Sequence, residues 1–402
     1  MICVNAQGCG SSLISRALPR LVTAIFVTIA SVGTFAGGIW GVAGIGGAII
    51  LFLATWVIDK RWPKPDTSLA LLAIATSVFM MINSLYSIDP ALSWFDWERL
   101  VGVFIPFILL SSPAIVAHAN SRPLFPALAI AAFVGAAALG LELDLGGALL
   151  HLVKGAKAAL TEYNRGMSYI VMLAFPVMAW LWISGRRRFI LPFILVLLIP
   201  ASLTESRSAK LALIVGLSIT LMASFWPLLI RWGLMALTVL FCGWPFAARA
   251  FFLAHHGWLT HIPPSWHERV EIWDYMSYRI MEKPFFGWGI GVSKRLDFIN
   301  PHGALYIFAR GPEPHPHNVM TQLWVEMGLP GLALGLAFAA LTLGKTGRMD
   351  RSLVPFALGA WAAAYCISLV AYNFWSDSLF AAFALVGLAF SLLQDKNTKA
   401  RS

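Results

Sequence analysis

Charge is what this 402-residue chain has least of. Charged residues make up 12% of it, where soluble domains carry about a quarter. Hydrophobic residues make up 59% and the mean hydropathy is +0.75, which excludes an ordinary water-soluble enzyme. Cysteine is nearly as scarce. Cys3, Cys9, Cys242 and Cys366 lie in the N-terminal tail or inside apolar segments, so a disulfide framework in outward loops is not expected. No Cys/His cluster has zinc spacing, and no Asp-x-Asp pair or dense carboxylate group occurs in the loops. Glycine-rich P-loop and dinucleotide fingerprints are missing too. Neither a metal nor another cofactor is therefore expected. No long internal repeat or low-complexity segment is present.

What the chain does have is apolar runs near 20 residues long, recurring from end to end. They predict an all-α polytopic membrane protein, a single integral membrane domain over 1–402. We place twelve spans at about 21–37, 39–58, 68–85, 100–116, 124–141, 166–184, 189–202, 211–230, 233–251, 317–343, 353–371 and 379–393. The first apolar stretch, 21–58, is too long for a signal-peptide core and should stay in the mature protein. Twelve spans put both termini on one side. Arg16/Arg20, Lys60/Arg61/Lys64, Arg122, Arg186–Arg188, Arg231, Lys345/Arg348/Arg351 and Lys396/Lys399/Arg401 all fall there, in short segments whose acids are Asp59, Asp66, Asp350 and Asp395. The positive-inside rule makes that side cytoplasmic. The net charge of +10 thus reports topology rather than a nucleic-acid footprint.

The same topology turns the long loop 252–316, between spans nine and ten, outward. Within it Ser265-Trp266-His267-Glu268 fits a capping box, with Ser265 as N-cap and Glu268 at N3. A short amphipathic helix should run from there towards Met281. Arg269, Trp273, Met276 and Ile280 would share one face, suited to lying along the membrane surface. Further on, Gly331 and Gly335 form a GxxxG, which lets helices approach closely.

The chemistry centres on His315-Pro316-His317-Asn318, where the loop runs back into an apolar segment. Pro316 can start a helix, which would put His317 and Asn318 in its first turn. His317, Thr321, Trp324 and Gly328 would then share a face, with Asn318 and Gln322 beside it. The macrodipole at a helix N-terminus disfavours imidazolium, so His317 should be neutral and able to accept a proton. The plainer alternative is a boundary histidine that wets a helix end. Arg165, Arg207 and Arg269 sit where outward-facing segments meet the membrane, and guanidinium forks suit phosphate oxygens. Taken singly, each could be a snorkelling or solvated charge. Arg165, Asn318, Gln322, Lys210 and Trp273 are the expected substrate-binding residues; His317, Arg207 and Arg269 are the expected catalytic ones.

His317-Asn318, nine residues, then Gly328-x-x-Gly331 resembles the signature of bacterial O-antigen ligases. Tyr163-Asn164-Arg165-Gly166, Ser206-Arg207-Ser208, Arg269-Val270-Glu271-Ile272-Trp273 and Pro284-Phe285-Phe286-Gly287-Trp288-Gly289 resemble the family's pattern in the same order. The resemblance implies a GT-C type glycosyltransferase in the bacterial inner membrane, with its active site facing the periplasm. It would move a glycan from undecaprenyl diphosphate to lipid A–core, inverting and without metal or nucleotide. By position, Arg207 and Arg269 would hold the diphosphate, Arg165 would assist donor binding, and His317 would be the general base. Related polymerases and O-linked oligosaccharyltransferases are the nearest alternatives. Polymerases often carry an Arg-x10-Gly pattern that no outward-loop arginine begins here. Protein-glycosylating members often add a domain after the last span, whereas this chain ends nine residues past Leu393. A twelve-span transporter would want ionisable residues near mid-membrane, and the expected spans are almost free of charge at their centres.

Overall fold

A computed structural model describes residues 6–119, 123–298, 300–309, 311 and 315–401. Arg122 and Cys3 lie outside the described residues, as do the side chains of Cys9, Lys396, Lys399 and Arg401. The described chain is helical throughout, with no strand. Its α-helices are α1 (Ala6–Ser31), α2 (Ile39–Asp59), α3 (Thr67–Leu85), α4 (Pro90–Leu109), α5 (Pro113–Ala119), α6 (Leu124–Asp144), α7 (Ala148–Lys154) and α8 (Asn164–Ile183). They continue as α9 (Ile190–Leu203), α10 (Arg207–Phe225), α11 (Pro227–Phe241), α12 (Trp244–Leu259), α13 (Pro264–Glu282), α14 (Val319–Thr346), α15 (Val354–Val370) and α16 (Asp377–Arg401).

Local chemistry sets the boundaries. Asp66, Asp89, Ser206 and Asn318 are N-caps whose side chains accept from Leu69, Leu92, Ala209 and Thr321 N–H. Proline opens α4, α11, α12, α13 and α15, where its missing N–H costs nothing.

Each of the twelve expected segments falls on a helix or a bent pair of helices. By length and composition, eight of these helices could cross a membrane. That number rises to ten if α4/α5 and α11/α12, bent by 64° and 65°, each count once. The bends follow from Pro113 after Ser111-Ser112 and from Gly243 before Pro245. The protein is a multi-pass helical membrane protein, with α8 buried over nearly its whole length at the centre.

Two contacts identify the ends of the bundle. At one, Lys345 near the C-terminus of α14 meets Asp66 at the N-cap of α3 (2.5 Å). At the other, Asn83 near the end of α3 donates to Phe286 O (2.9 Å) and accepts from Ile290 N–H (2.8 Å). The region of 252–316 packs at this second end.

Three expectations are corrected here. First, Ser265 is not an N-cap: Pro264 takes the first helical position and Pro263 precedes it, so α13 begins without a capping box. Second, α13 does not lie exposed on a surface. His267, residues 270–277 and Ile280 are buried on several sides against α12, α14 and the loop after α13. Glu271 accepts Ile307, Phe308 and Ala309 N–H at 2.7–2.9 Å and so clamps that loop onto the helix.

Third, α14 does not run unbroken from His317. It starts at Val319 and breaks at Gly328, whose φ of 66° and ψ of −156° are open to glycine and strained for other residues. A Cβ on Gly328 would lie 2.5 Å from the Phe285 carbonyl, and one on Gly287 would strike the Glu326 carbonyl. These two glycines let the backbones pass in contact. The break also folds the helix back on itself. Gly335 packs against Leu323 of the same helix, which on a straight helix would be about 18 Å away. The GxxxG therefore receives its own chain rather than a neighbouring helix. Residues 319–327 form a half-helix at the second end, while residues 329–346 span about 27 Å, close to a bilayer core.

Candidate active site

The site is assembled from helix starts. Arg165 stands in the first turn of α8, Arg207 opens α10, and Arg269 lies in the second turn of α13. The approach to α14 and the 371–376 turn between α15 and α16 complete it. Tyr372 ties several of these together, donating to Asn164 O (2.9 Å) with Ser168 Oγ at 2.8 Å.

Arg207 and Arg269 converge on one residue. Arg207 Nη1 donates to Ser265 Oγ (3.2 Å) and Arg269 Nη1 to Ser265 O (2.7 Å). Arg207 is exposed and Arg269 half-buried. Burial, opposed by Glu268 and reinforced by Arg207, lowers the proton affinity of the Arg269 guanidinium. Its Nε is buried without a protein partner. Two cations held this close, one with a spare donor, form a site that an anion would relieve.

His317 is not in the first turn of α14. It precedes the N-cap Asn318 and adopts φ 52°, a left-handed conformation uncommon outside glycine. Two contacts hold it there. Trp273 Nε1 donates to Pro316 O (2.8 Å), and His317 Nδ1 lies 2.7 Å from Ala371 O. A carbonyl only accepts, so Nδ1 carries the proton and Nε2 keeps its lone pair. The imidazole is disfavoured as a cation first by burial and then by Arg269, against the opposing pull of the Ala371 carbonyl. These influences favour the neutral ring, and the largest of them is burial rather than the helix end invoked from the sequence.

His315 was missed as a site residue. Its ring centroid is 4.2 Å from that of His317. Burial, with the charges of His317, Arg165 and Arg269, lowers its pKa to about 3. The His-x-His spacing was visible in the sequence and gave a signal that went unused. Arg165, exposed at the start of α8, is therefore near enough to be felt by His315.

The remaining expected residues do other work. Asn318 spends its side chain on Thr321 N–H (2.9 Å), Thr321 Oγ1 (3.2 Å) and Leu369 O (3.2 Å). Gln322 donates to Asn373 (2.7 Å) and accepts from Phe374 N–H (3.0 Å), pinning the turn that carries Ala371. Lys210 donates to Ser202 O (3.1 Å). Glu326, also unpredicted, is fully buried. It accepts from Trp375 Nε1 (2.5 Å), Ser293 Oγ (2.6 Å), Gly291 N–H (2.9 Å) and Gln322 Nε2 (3.3 Å), joining the half-helix to two loops. A lone acid inside an apolar run was its only sequence signal.

Residues 201–336 match the family described as O-Antigen ligase. This stretch contains Arg207, Arg269, His315 and His317. Over this stretch, about a third of its length, the chain resembles the O-antigen ligase family. It is 26% identical over 249 residues to a protein of Rickettsia conorii provisionally named a polysaccharide ligase, covering 58% of each chain. A relative from Rickettsia bellii with the same provisional name is 26% identical over 308 residues, or 73% of each chain. One from Rickettsia typhi reaches 32% over 118 residues, 28% of each. The chain thus spans just over half the length of the first of these relatives.

Proposed function

We propose that this protein transfers a glycan from undecaprenyl diphosphate to a sugar hydroxyl of lipid A–core, inverting and metal-independent. It would work at the periplasmic face of the inner membrane, with cytoplasmic termini and with 252–316 as the periplasmic loop. The single observation that carries this reading is the convergence of Arg207 and Arg269 on Ser265 beside a neutral His317.

In this reading the diphosphate sits on the Arg207–Arg269 pair, with Arg165 assisting. The acceptor hydroxyl gives its proton to His317 Nε2 as its oxygen bonds to the anomeric carbon. The bond from that carbon to the diphosphate breaks, and the electron pair leaves on phosphate oxygen. Negative charge grows there in the transition state, so fixed guanidinium groups stabilise it more than the ground state. A positioned base typically adds about 10²–10⁴-fold. The imidazolium formed beside Arg269 is disfavoured, which promotes proton release to water.

The test supplies purified protein with both lipids and compares it with His317→Ala. Glycan on lipid A–core from the wild type alone is the expected result. Normal ligation by His317→Ala would remove the base assignment. Glycan lengthening on undecaprenyl diphosphate would make the protein a polymerase instead.

A further inference from the structure

Beside α13 lies a cleft of about 550 Å³, lined by Asp89, Arg279, Trp288, Arg295, Leu296 and Asp297 among others. None of these residues belongs to the arginine–histidine site. Arg279 and Lys283 approach the Trp288 ring at 5.6 and 4.2 Å from its centroid, and Trp288 Nε1 donates to Arg279 O (2.8 Å), so the ring is fixed. Arg295 pairs with Asp89 (3.2 Å) at the rim. Arg279 pairs with Glu282 (2.9 Å) and also donates to Asp297 O, while its Nε is buried without a protein partner.

We infer that this cleft binds the saccharide of the acceptor. The inference rests on the transferase reading above and adds to it the place where the second substrate docks. The lining is mixed, with four charged side chains among apolar ones, which suits an acyl chain poorly. Its two arginines and two aspartates balance, which does not favour a polyanion. A fixed aromatic ring among fork-shaped donors and carboxylate acceptors suits an array of hydroxyls.

Position along α13 selects acceptor over donor. Arg269 lies near the start of the helix. Trp273, one turn on, holds the Pro316 carbonyl next to His317. Arg279 lies ten residues from Arg269, about 15 Å along the axis. Projected on the α13 axis, Trp273 and the base it borders fall between Arg269 and the cleft residue Arg279. An inverting displacement brings the nucleophile in opposite the leaving group, so the sugar beyond the base is the acceptor.

The experiment uses the full chain in lipid nanodiscs and varies donor and acceptor concentrations separately. Arg295 and Asp297 are exposed, so Arg295→Ala and Asp297→Ala should fold. Each is expected to raise the KM for lipid A–core at least fivefold, leaving the KM for the donor unmoved. In parallel, delipidated core oligosaccharide should slow amide exchange across residues 288–297 in the wild type and much less in Arg295→Ala. An unmoved acceptor KM in both variants, or a raised donor KM instead, would overturn the assignment while leaving the transferase reading intact. No product from the wild type with either lipid would overturn the transferase reading and this site with it.

Discussion

Replacing Gly328 by alanine tests how the base is held, because the break it makes separates the half-helix leading from His317 from the span below. Two costs follow from the local geometry. An L-residue at φ 66°, ψ −156° is strained by about 1–3 kcal/mol. The new Cβ would also stand 2.5 Å from the Phe285 carbonyl and 2.6 Å from Phe286 N. Both are backbone atoms, held from the other side by Asn83, so the two strands must separate by about half an ångström. The sum should reach about 2–4 kcal/mol. Gly344→Ala is the control on the same helix: Gly344 has open space around its Cβ position and no positive φ. The thermal midpoint of detergent-solubilised Gly328→Ala should fall well below those of wild type and Gly344→Ala. Glycan transfer should fall with it, measured below the new midpoint. Equal midpoints for all three proteins would refute the view that the break requires glycine.

Other perturbations address the site directly. Trp273→Phe keeps the ring but leaves the buried Pro316 carbonyl without its donor; we expect kcat to fall about tenfold, the equivalent of about 1.4 kcal/mol, and an unchanged kcat would show that Trp273 does not position the base. Arg207→Lys should lose most transfer activity because an ammonium cannot present a planar fork to a diphosphate, whereas full activity would reduce Arg207 to a point charge. On the proposed mechanism, activity in the pH–rate profile needs neutral His317. Burial and Arg269 hold its pKa below the usual 6.5, so the acidic limb should fall away only below that value; a limb at or above 6.5 would contradict the burial of the base.

The multi-pass helical character was legible because apolar runs are one-dimensional signals, and each expected segment found a helix or bent helix pair, eight to ten of them long and apolar enough to cross a membrane. Arg165, Arg207, Arg269 and His317 were legible for a related reason: charge at a span boundary stands out in such a chain. Features made by long-range partners were not. Nothing near Gly328 in sequence announces that Phe285 will pass against it. Similarly, α13 reads as amphipathic until Glu271 gathers three N–H groups from residues 307–309 and buries the face that looked exposed. Asn318 and Gln322 read as polar residues beside a catalytic histidine. Only the 369–374 segment, some fifty residues away, reveals that their amides hold a turn in place. Ser265 was misread because a proline one position earlier had the stronger claim on the helix start.

The break in α14 bears on how the protein meets lipids of different chain length. A continuous helix would transmit every adjustment to bilayer thickness, by tilt or by stretch, straight to the histidine near its upper end. Here the break at Gly328 puts the upper piece on a different course from the span below it. The upper piece is moored elsewhere, through Glu326 to Trp375 and Ser293 and through Pro316 to Trp273. If His317 is the base, its height is referenced to these contacts in the protein's own cap as well as to the span, a suspension that would help keep the reacting groups aligned as the membrane around them thins or thickens.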